Sequence, residues 1–124
     1  MLSIPITIIP NQTVVAVDFD GTVAVTDYPT IIRPIKENIK FIKKLAYLGA
    51  ILVLWTCREG QELEDAVNFC ELQDLHFPYV NENPPFRIEK YGTNPRKIGA
   101  DYYIDDKSII PPVIYRGDDV YRNE

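Results

Sequence analysis

One segment near the N-terminus constrains the fold more than any other part of the chain. Residues 14–22 read VVAVDFDGT, so four small apolar residues are followed at once by Asp18 and Asp20. An unbroken apolar run predicts a strand of a parallel sheet that is covered on both faces. Ligands of such sheets bind beyond the carboxyl ends of the strands. Crowded carboxylates at that place repel one another, so they indicate a site that does chemistry or holds a cation.

The rest of the chain alternates between strand and helix patterns. Strands are predicted at 14–18, 50–55, 77–80 and 102–104, and a further one at 112–115. One helix starts with Pro34 in its first turn and ends at Gly49, and a second covers about 61–75. The segment 81–96 is expected to be a long loop with one turn of helix. This alternation predicts a three-layer, Rossmann-like parallel sheet of about five strands with helices on both faces.

Three other segments have weaker patterns. Residues 22–34 are expected to be irregular, because Pro29 and Pro34 act as breakers. Residues 6–9 either pair as an edge strand or lie loosely on the surface. We expect 1–13 and 117–124 to be loosely ordered.

Composition narrows the class of protein. A chain of 124 residues suits a single domain spanning 1–124. The net charge of −5 makes a broad nucleic-acid surface unlikely, because such surfaces need clustered Lys and Arg. Cys57 and Cys70 have no metal-ligand spacing and predict free thiols in a reducing cytoplasm. No apolar stretch is long enough for a membrane span, and no signal peptide is recognisable.

Polar residues follow three of the predicted strands. Because the carboxyl ends of parallel strands meet at one edge, these residues are expected to converge. Several carboxylates gathered there need a cation, and an all-oxygen ligand set of a few carboxylates and water favours Mg²⁺. The converging residues are Asp18, Asp20, Thr56, Arg58, Asp105 and Asp106.

These motifs, in this order, resemble the haloacid dehalogenase superfamily. They are DFDGT at 18–22, Thr56 after the second strand, and KIGADYYIDD at 97–106. The resemblance implies that Asp18 is a nucleophile that forms an aspartyl-phosphate and that Asp20 is the general acid and base. It implies that Thr56 hydrogen-bonds the phosphoryl group and that Lys97 balances the negative charge. The implied Mg²⁺ ligands are the carboxylates of Asp18 and Asp105 and the backbone carbonyl of Asp20. The residues implied to support these groups or to touch the substrate are Gly21, Thr22, Arg58 and Asp106.

The second carboxylate selects among the activities of that superfamily. Its dehalogenases lack an Asp at the position of Asp20, and its ion-pumping ATPases have Thr there, so the resemblance implies a Mg²⁺-dependent phosphatase. Receiver domains also combine acidic residues, Thr and Lys, but in another order and without this motif. Lys97 lies only eight residues before Asp105, so Lys90 and Lys107 remain alternatives. Taken alone, Arg58 would more often be a solvated charge near a helix start.

Many members of the superfamily carry a cap domain over the site, and this chain has no room for one. The gap after Thr22 fits only a short flap. An open site cannot by itself shield a small substrate from water. The resemblance to capless members of the superfamily therefore implies a large phosphorylated substrate, or a homo-oligomer in which another subunit supplies a lid. Two alternatives stay open. One is a phosphatase specific for nucleotides or nucleic-acid ends, and the other is a binding module that keeps the fold without turnover.

Overall fold

The fold is built on a parallel sheet, and the computed structural model describes residues 6–107 of the chain. Four parallel strands form this sheet in the order β5-β4-β1-β6, and β2 and β3 form a separate antiparallel pair. An α/β fold with a parallel sheet, as predicted, is therefore present. The elements are β1 Val14–Val17, β2 Ala24–Asp27, β3 Thr30–Pro34, α1 Lys36–Tyr47, β4 Ile51–Leu54, α2 Gly60–Leu72, β5 Tyr79–Val80, α3 Pro85–Tyr91 and β6 Tyr102–Ile104.

The central strands β1 and β4 divide the core into two layers. Side chains alternate along a strand, so Val15 and Val17 face one side and Val14 and Ala16 the other. The first side packs with residues of both α1 and α2, including Ile42 and Cys70. The second side packs with Ile98, Trp55 and Ala100. Within residues 6–107, both long helices thus cover one face, and a helical layer on the other face stays a prediction.

The segment after the first motif is not irregular, and that prediction is wrong. Strands β2 and β3 pair antiparallel from Ala24 opposite Pro34 to Asp27 opposite Thr30, with a register shift near Val25. Both prolines are compatible with this hairpin: Pro29 lies in the turn, and Pro34 ends β3 instead of starting α1. The expected short flap is therefore a β-hairpin.

Other boundaries also differ from expectation. The loop at 81–96 contains two turns of helix, because Pro85 suits the first helical position and Gly92 adopts the left-handed conformation that ends α3. Strand β5 is only Tyr79–Val80. Residues 6–9 are not a strand but lie on the surface, where Thr7 N–H donates to the hydroxyl of Tyr102 at 3.0 Å.

Some predictions fall outside the described residues. The strand at 112–115, the tail at 117–124 and the first five residues are among them. In the part that the structure describes, no helix combines the length and apolar character needed to cross a membrane. The thiols of Cys57 and Cys70 are free, as expected.

Candidate active site

Three adjacent strands end at one edge of the sheet and bring polar residues together there. Asp18 follows β1 directly, Thr56 lies two residues beyond β4, and Asp105 follows β6. Strand β1 lies between β4 and β6 and runs parallel to both. The backbone N–H of Asp18 donates to the carbonyl of Ile104 at 2.9 Å, which extends the sheet pairing to the site. The predicted convergence of these strand ends is present.

Three carboxylates form an acidic cluster at this edge. One carboxylate oxygen each from Asp18, Asp105 and Asp106 lies within 4.8 Å of the others. Lys107 approaches from the outside: its Nζ is 3.9 Å from Oδ2 of Asp106, and its backbone N–H donates to Oδ1 of Asp105 at 3.0 Å. This exposed lysine balances only part of the negative charge.

Burial and the neighbouring charges change the protonation of Asp18. The pKa of Asp18 is raised from 3.8 to about 7, mainly by burial and to a smaller extent by the charges of Asp105 and Asp106. A hydrogen bond from the Thr22 hydroxyl at 3.1 Å acts in the opposite direction. A carboxyl group with this pKa is protonated in about half of the molecules at neutral pH, and a bound cation would displace that proton. The cluster is therefore suited to a hard cation with oxygen ligands.

Asp20 lies outside the acidic cluster and pairs with Arg58. Arg58 Nε donates to Oδ2 of Asp20 at 2.9 Å and Arg58 Nη2 donates to Oδ1 at 2.7 Å, while the Thr26 hydroxyl donates to Oδ1 at 2.9 Å. Burial opposes ionisation of Asp20, but these hydrogen bonds prevail and lower its pKa. The expectation that Arg58 is a solvated charge is wrong, since only 1% of the residue is exposed. A metal-ligand role for the backbone carbonyl of Asp20 stays a prediction.

Thr56 is held by two hydrogen bonds. Its hydroxyl oxygen accepts from the backbone N–H of Arg58 at 3.1 Å, so the hydroxyl hydrogen is free to donate to a ligand. Its own N–H donates to Oδ1 of Asn81 at 2.8 Å. Asn81 has a positive φ of 52°, which asparagine tolerates better than most residues. Asn81 was missed in the sequence, where the only signal was an asparagine directly after a strand.

The structure does not bring Lys97 to the carboxylates. Its Nζ lies over the ring of Tyr103, 5.7 Å from the centroid, and the side chain forms no ion pair with any described carboxylate. The alternative Lys90 lies against Tyr91 in α3. Of the three candidate lysines, Lys107 is the one in contact with the acidic cluster. The catalytic role of Lys97 stays a prediction.

The loop that carries Lys97 is nevertheless well anchored. Asn83, which is 4% exposed, donates from its side-chain amide to Oδ1 of Asn94 at 3.1 Å and to the carbonyl of Pro95 at 3.0 Å. Its Oδ1 accepts from the N–H of Gly99 at 2.7 Å. These bonds bracket Lys97 on both sides. Asn83 was also missed, because a buried asparagine cannot be told from a loop asparagine by sequence pattern.

Gly21 is required by close packing at the site. Its φ is +83°, and a Cβ built there would collide with the carboxylate of Asp106. Any side chain at this position would therefore displace a member of the acidic cluster.

We expect Gly21→Ala to lower the free energy of unfolding by about 2 kcal/mol, through backbone strain and displacement of the Asp106 carboxylate. Gly92→Ala is the matched control, because Gly92 has a φ of +72° with open space around it. It should lose only about 1 kcal/mol, from strain alone. Urea denaturation measures both, and equal losses in the two variants would contradict the collision.

A groove at the opposite edge of the sheet is separate from this site. It has a volume of about 400 Å³ and includes Thr13, Arg87 and Asp101 in its lining. Thr13 and Asp101 precede β1 and β6, so the groove lies at the amino ends of the strands. Arg87 and Asp101 pair there at 2.6 Å and join α3 to the segment before β6. The converging polar residues are at the other edge.

Comparison with known proteins identifies a related protein but gives no information on activity. No protein-family model and no curated protein matches the chain. A solved structure, described as a conserved protein from Bacteroides thetaiotaomicron, is 36% identical with a TM-score of 0.70. The match covers 82% of this chain and 84% of that one. The chain therefore belongs to the same family as this conserved protein.

Proposed function

We propose that the protein is a Mg²⁺-dependent phosphatase of the haloacid dehalogenase type. On this proposal the fold is a three-layer, Rossmann-like one without a cap domain. The observation that carries it is the position of Asp18 at the end of β1, within 4.8 Å of two further carboxylates. The ordered motifs at 18–22, 56 and 97–106 support the same assignment.

The metal would be held by Asp18 and Asp105, with Asp106 as a ligand through water or as an orienting group. Three neighbouring carboxylates, one of which has its pKa raised to about 7 by burial and by the charges of the other two, fit a divalent cation with oxygen ligands. When bound, Mg²⁺ neutralises charge on the phosphoryl group and keeps the carboxylate of Asp18 ionised.

Asp18 would act as the nucleophile. One of its carboxylate oxygens attacks phosphorus, the bond from phosphorus to the ester oxygen breaks, and an aspartyl-phosphate forms. The hydroxyl hydrogen of Thr56 is free to donate to a phosphoryl oxygen. Lys107, which contacts the acidic cluster, would supply positive charge there, or Lys97 would do so after its side chain turns away from Tyr103. Covalent catalysis divides one difficult displacement into two easier ones.

Asp20 would move the proton in both steps. It protonates the leaving alkoxide in the first step and takes a proton from the attacking water in the second, which releases phosphate and restores Asp18. The ion pair with Arg58 lowers the pKa of Asp20, so the paired form suits the second role. The first role needs an Asp20 that has taken up a proton while Arg58 stays beside it.

Within the described residues, the hairpin of β2 and β3 is the only element between the first motif and α1, which leaves no cap domain at that point of the chain. Such an open site suits a large phosphorylated substrate, such as a phosphoprotein or a nucleic-acid end, or a lid supplied by another subunit. Two observations favour a binding module as the second candidate: Lys97 is not at the carboxylates, and both oxygens of Asp20 are occupied by Arg58.

The test is phosphate release from a panel of phosphorylated metabolites, phosphopeptides and oligonucleotide ends, together with p-nitrophenyl phosphate. A phosphatase releases phosphate from at least one of them only when Mg²⁺ is present. Mg²⁺-dependent binding of phosphate without hydrolysis of any substrate would instead identify a binding module.

Asp20→Asn is expected to slow turnover most for poor leaving groups. Loss of the proton donor should lower kcat about 100-fold or more for an alkyl phosphate, but much less for p-nitrophenyl phosphate, whose leaving group needs little protonation. Asp27→Asn removes an exposed carboxylate from the same hairpin and serves as the control. An equal loss for both substrates would contradict the acid role.

A further inference from the structure

Arg58 makes more contacts than an ion pair with Asp20 requires. Besides its two bonds to Asp20, Nη2 donates to the carbonyl of Pro29 at 3.1 Å and Nη1 donates to the carbonyl of Glu62 at 3.2 Å. One guanidinium therefore joins the loop after β1, the turn of the hairpin and the first turn of α2. None of its side-chain surface is exposed to solvent.

Two aromatic rings enclose the same guanidinium. Its carbon lies 5.0 Å from the ring centroid of Phe19 and 5.0 Å from that of Tyr28. Phe19 belongs to the core, whereas Tyr28 lies in the turn of the hairpin and is largely exposed. Arg58 is thus held between the fixed core and the hairpin by cation–π contacts on two rings.

The hairpin also contacts Asp20 directly, without Arg58. Thr26 in β2 donates its hydroxyl to Oδ1 of Asp20, the oxygen that also accepts from Arg58 Nη2. The backbone of Asp20 forms a bridge with Ala24, the first residue of β2. The hairpin therefore holds the backbone of Asp20 through Ala24 and its carboxylate through Thr26, and the turn is joined to that carboxylate through Arg58.

We propose that Arg58 is a positioning residue that holds Asp20 and the β2–β3 hairpin as one unit, so that the hairpin sets where the Asp20 carboxylate points. The buried guanidinium keeps its charge compensated only while Asp20 stays beside it, and removal of one partner of such a pair is strongly destabilising. The hairpin and Asp20 therefore change position together. That Arg58 holds the hairpin and Asp20 together does not depend on any activity, whereas the effect on turnover rests on the proposed phosphatase function.

Hydrogen exchange measured by mass spectrometry tests the structural part. In Arg58→Lys, which keeps the charge but loses the two-pronged pairing, amides of residues 24–34 should exchange about 10-fold faster or more. Amides of β1 and β4 should be unchanged. Tyr28→Leu, which keeps the ion pair but loses one ring, should give about a 3-fold increase in the same amides. It serves as the second variant should Arg58→Lys fold poorly.

The control variant for hydrogen exchange changes another arginine of the same hairpin. Arg33→Lys changes an exposed arginine of β3 and should leave the exchange of residues 24–34 as in the wild type. If neither Arg58→Lys nor Tyr28→Leu accelerates exchange in the hairpin, Arg58 does not hold it, and the proposal is wrong.

Kinetics test the catalytic part. Arg58→Lys should lower kcat about 30-fold or more for an alkyl phosphate and less than about 3-fold for p-nitrophenyl phosphate, with KM unchanged for both. The double variant with Asp20→Asn should be no slower than Asp20→Asn alone, because both changes remove the same function. Equal losses on both substrates, or losses that multiply, would overturn the positioning role while leaving the phosphatase proposal intact. If the wild type hydrolyses nothing, the phosphatase proposal fails and the exchange experiment alone decides on Arg58.

Discussion

Asp18→Asn is expected to abolish turnover of p-nitrophenyl phosphate, with kcat lowered by at least about 10³-fold. The amide cannot attack phosphorus, so no aspartyl-phosphate forms and only slow background hydrolysis remains. The substitution keeps the shape of the side chain and its hydrogen bond with Thr22, so the fold should be retained. Activity at the wild-type level in this variant would contradict the assignment of the nucleophile.

The same variant should be more stable than the wild type when Mg²⁺ is absent. The pKa of Asp18 is about 7 in the folded protein and 3.8 in the unfolded chain, so the folded state holds the proton more tightly. Stability contributed by the protonated carboxyl is present below pH 4 and is lost as the pH rises through 7. The two pKa values correspond to about 4 kcal/mol at pH 8, and solvent screening of the half-buried carboxyl reduces this to about 2 kcal/mol. We therefore expect Asp18→Asn to exceed the wild type by about 2 kcal/mol at pH 8 and to show little difference at pH 4.

Urea denaturation in EDTA at several pH values measures this difference. Asp65→Asn is the matched control, because Asp65 is an exposed carboxylate on α2, outside the acidic cluster. It should not change the pH dependence of stability. A gap between Asp18→Asn and the wild type that is constant from pH 4 to pH 8 would contradict the raised pKa.

Mg²⁺ is expected to raise the melting temperature of the wild type by about 10 °C when its concentration is about 100 times the dissociation constant. Binding to the folded state alone contributes about 2.7 kcal/mol under that condition, and a domain of this size gains a few degrees per kcal/mol. Removal of Mg²⁺ with EDTA should remove both the stabilisation and the phosphatase activity. The shift should be larger at pH 8 than at pH 5.5, because the cation competes with the proton on Asp18.

Asp105→Asn tests whether Mg²⁺ binds at the acidic cluster. The variant loses one carboxylate of the three and should keep less than about half of the Mg²⁺-induced shift in melting temperature. Asp65→Asn should keep the full shift. If Mg²⁺ shifts the melting temperatures of Asp105→Asn and the wild type equally, the cation binds elsewhere or not at all. The assignment of the magnesium site to the acidic cluster would then be wrong.

The main strands and the acidic edge could be predicted because they depend on local patterns. An apolar run such as 14–17 cannot be exposed, and a parallel sheet brings the residues after β1 and β6 to one edge. Asp18, Asp105 and Asp106 therefore meet as the pattern indicated. The hairpin at 24–34 was missed because its prolines suggested irregular backbone, although a proline in a turn or at a strand end leaves the pairing intact.

The apolar and acidic pattern of the sequence by itself determined the parallel sheet, the position of Asp18 beyond β1 and the meeting of three carboxylates. Only the tertiary structure decided that Arg58 is buried against Asp20, 38 residues away, and that Lys97 lies over Tyr103 instead of beside the carboxylates. The physical reason is that the apolar pattern of a single segment is enough to determine which of its side chains are buried. A specific pair of polar side chains depends on the relative position of segments distant in sequence, and on which partner compensates each buried charge.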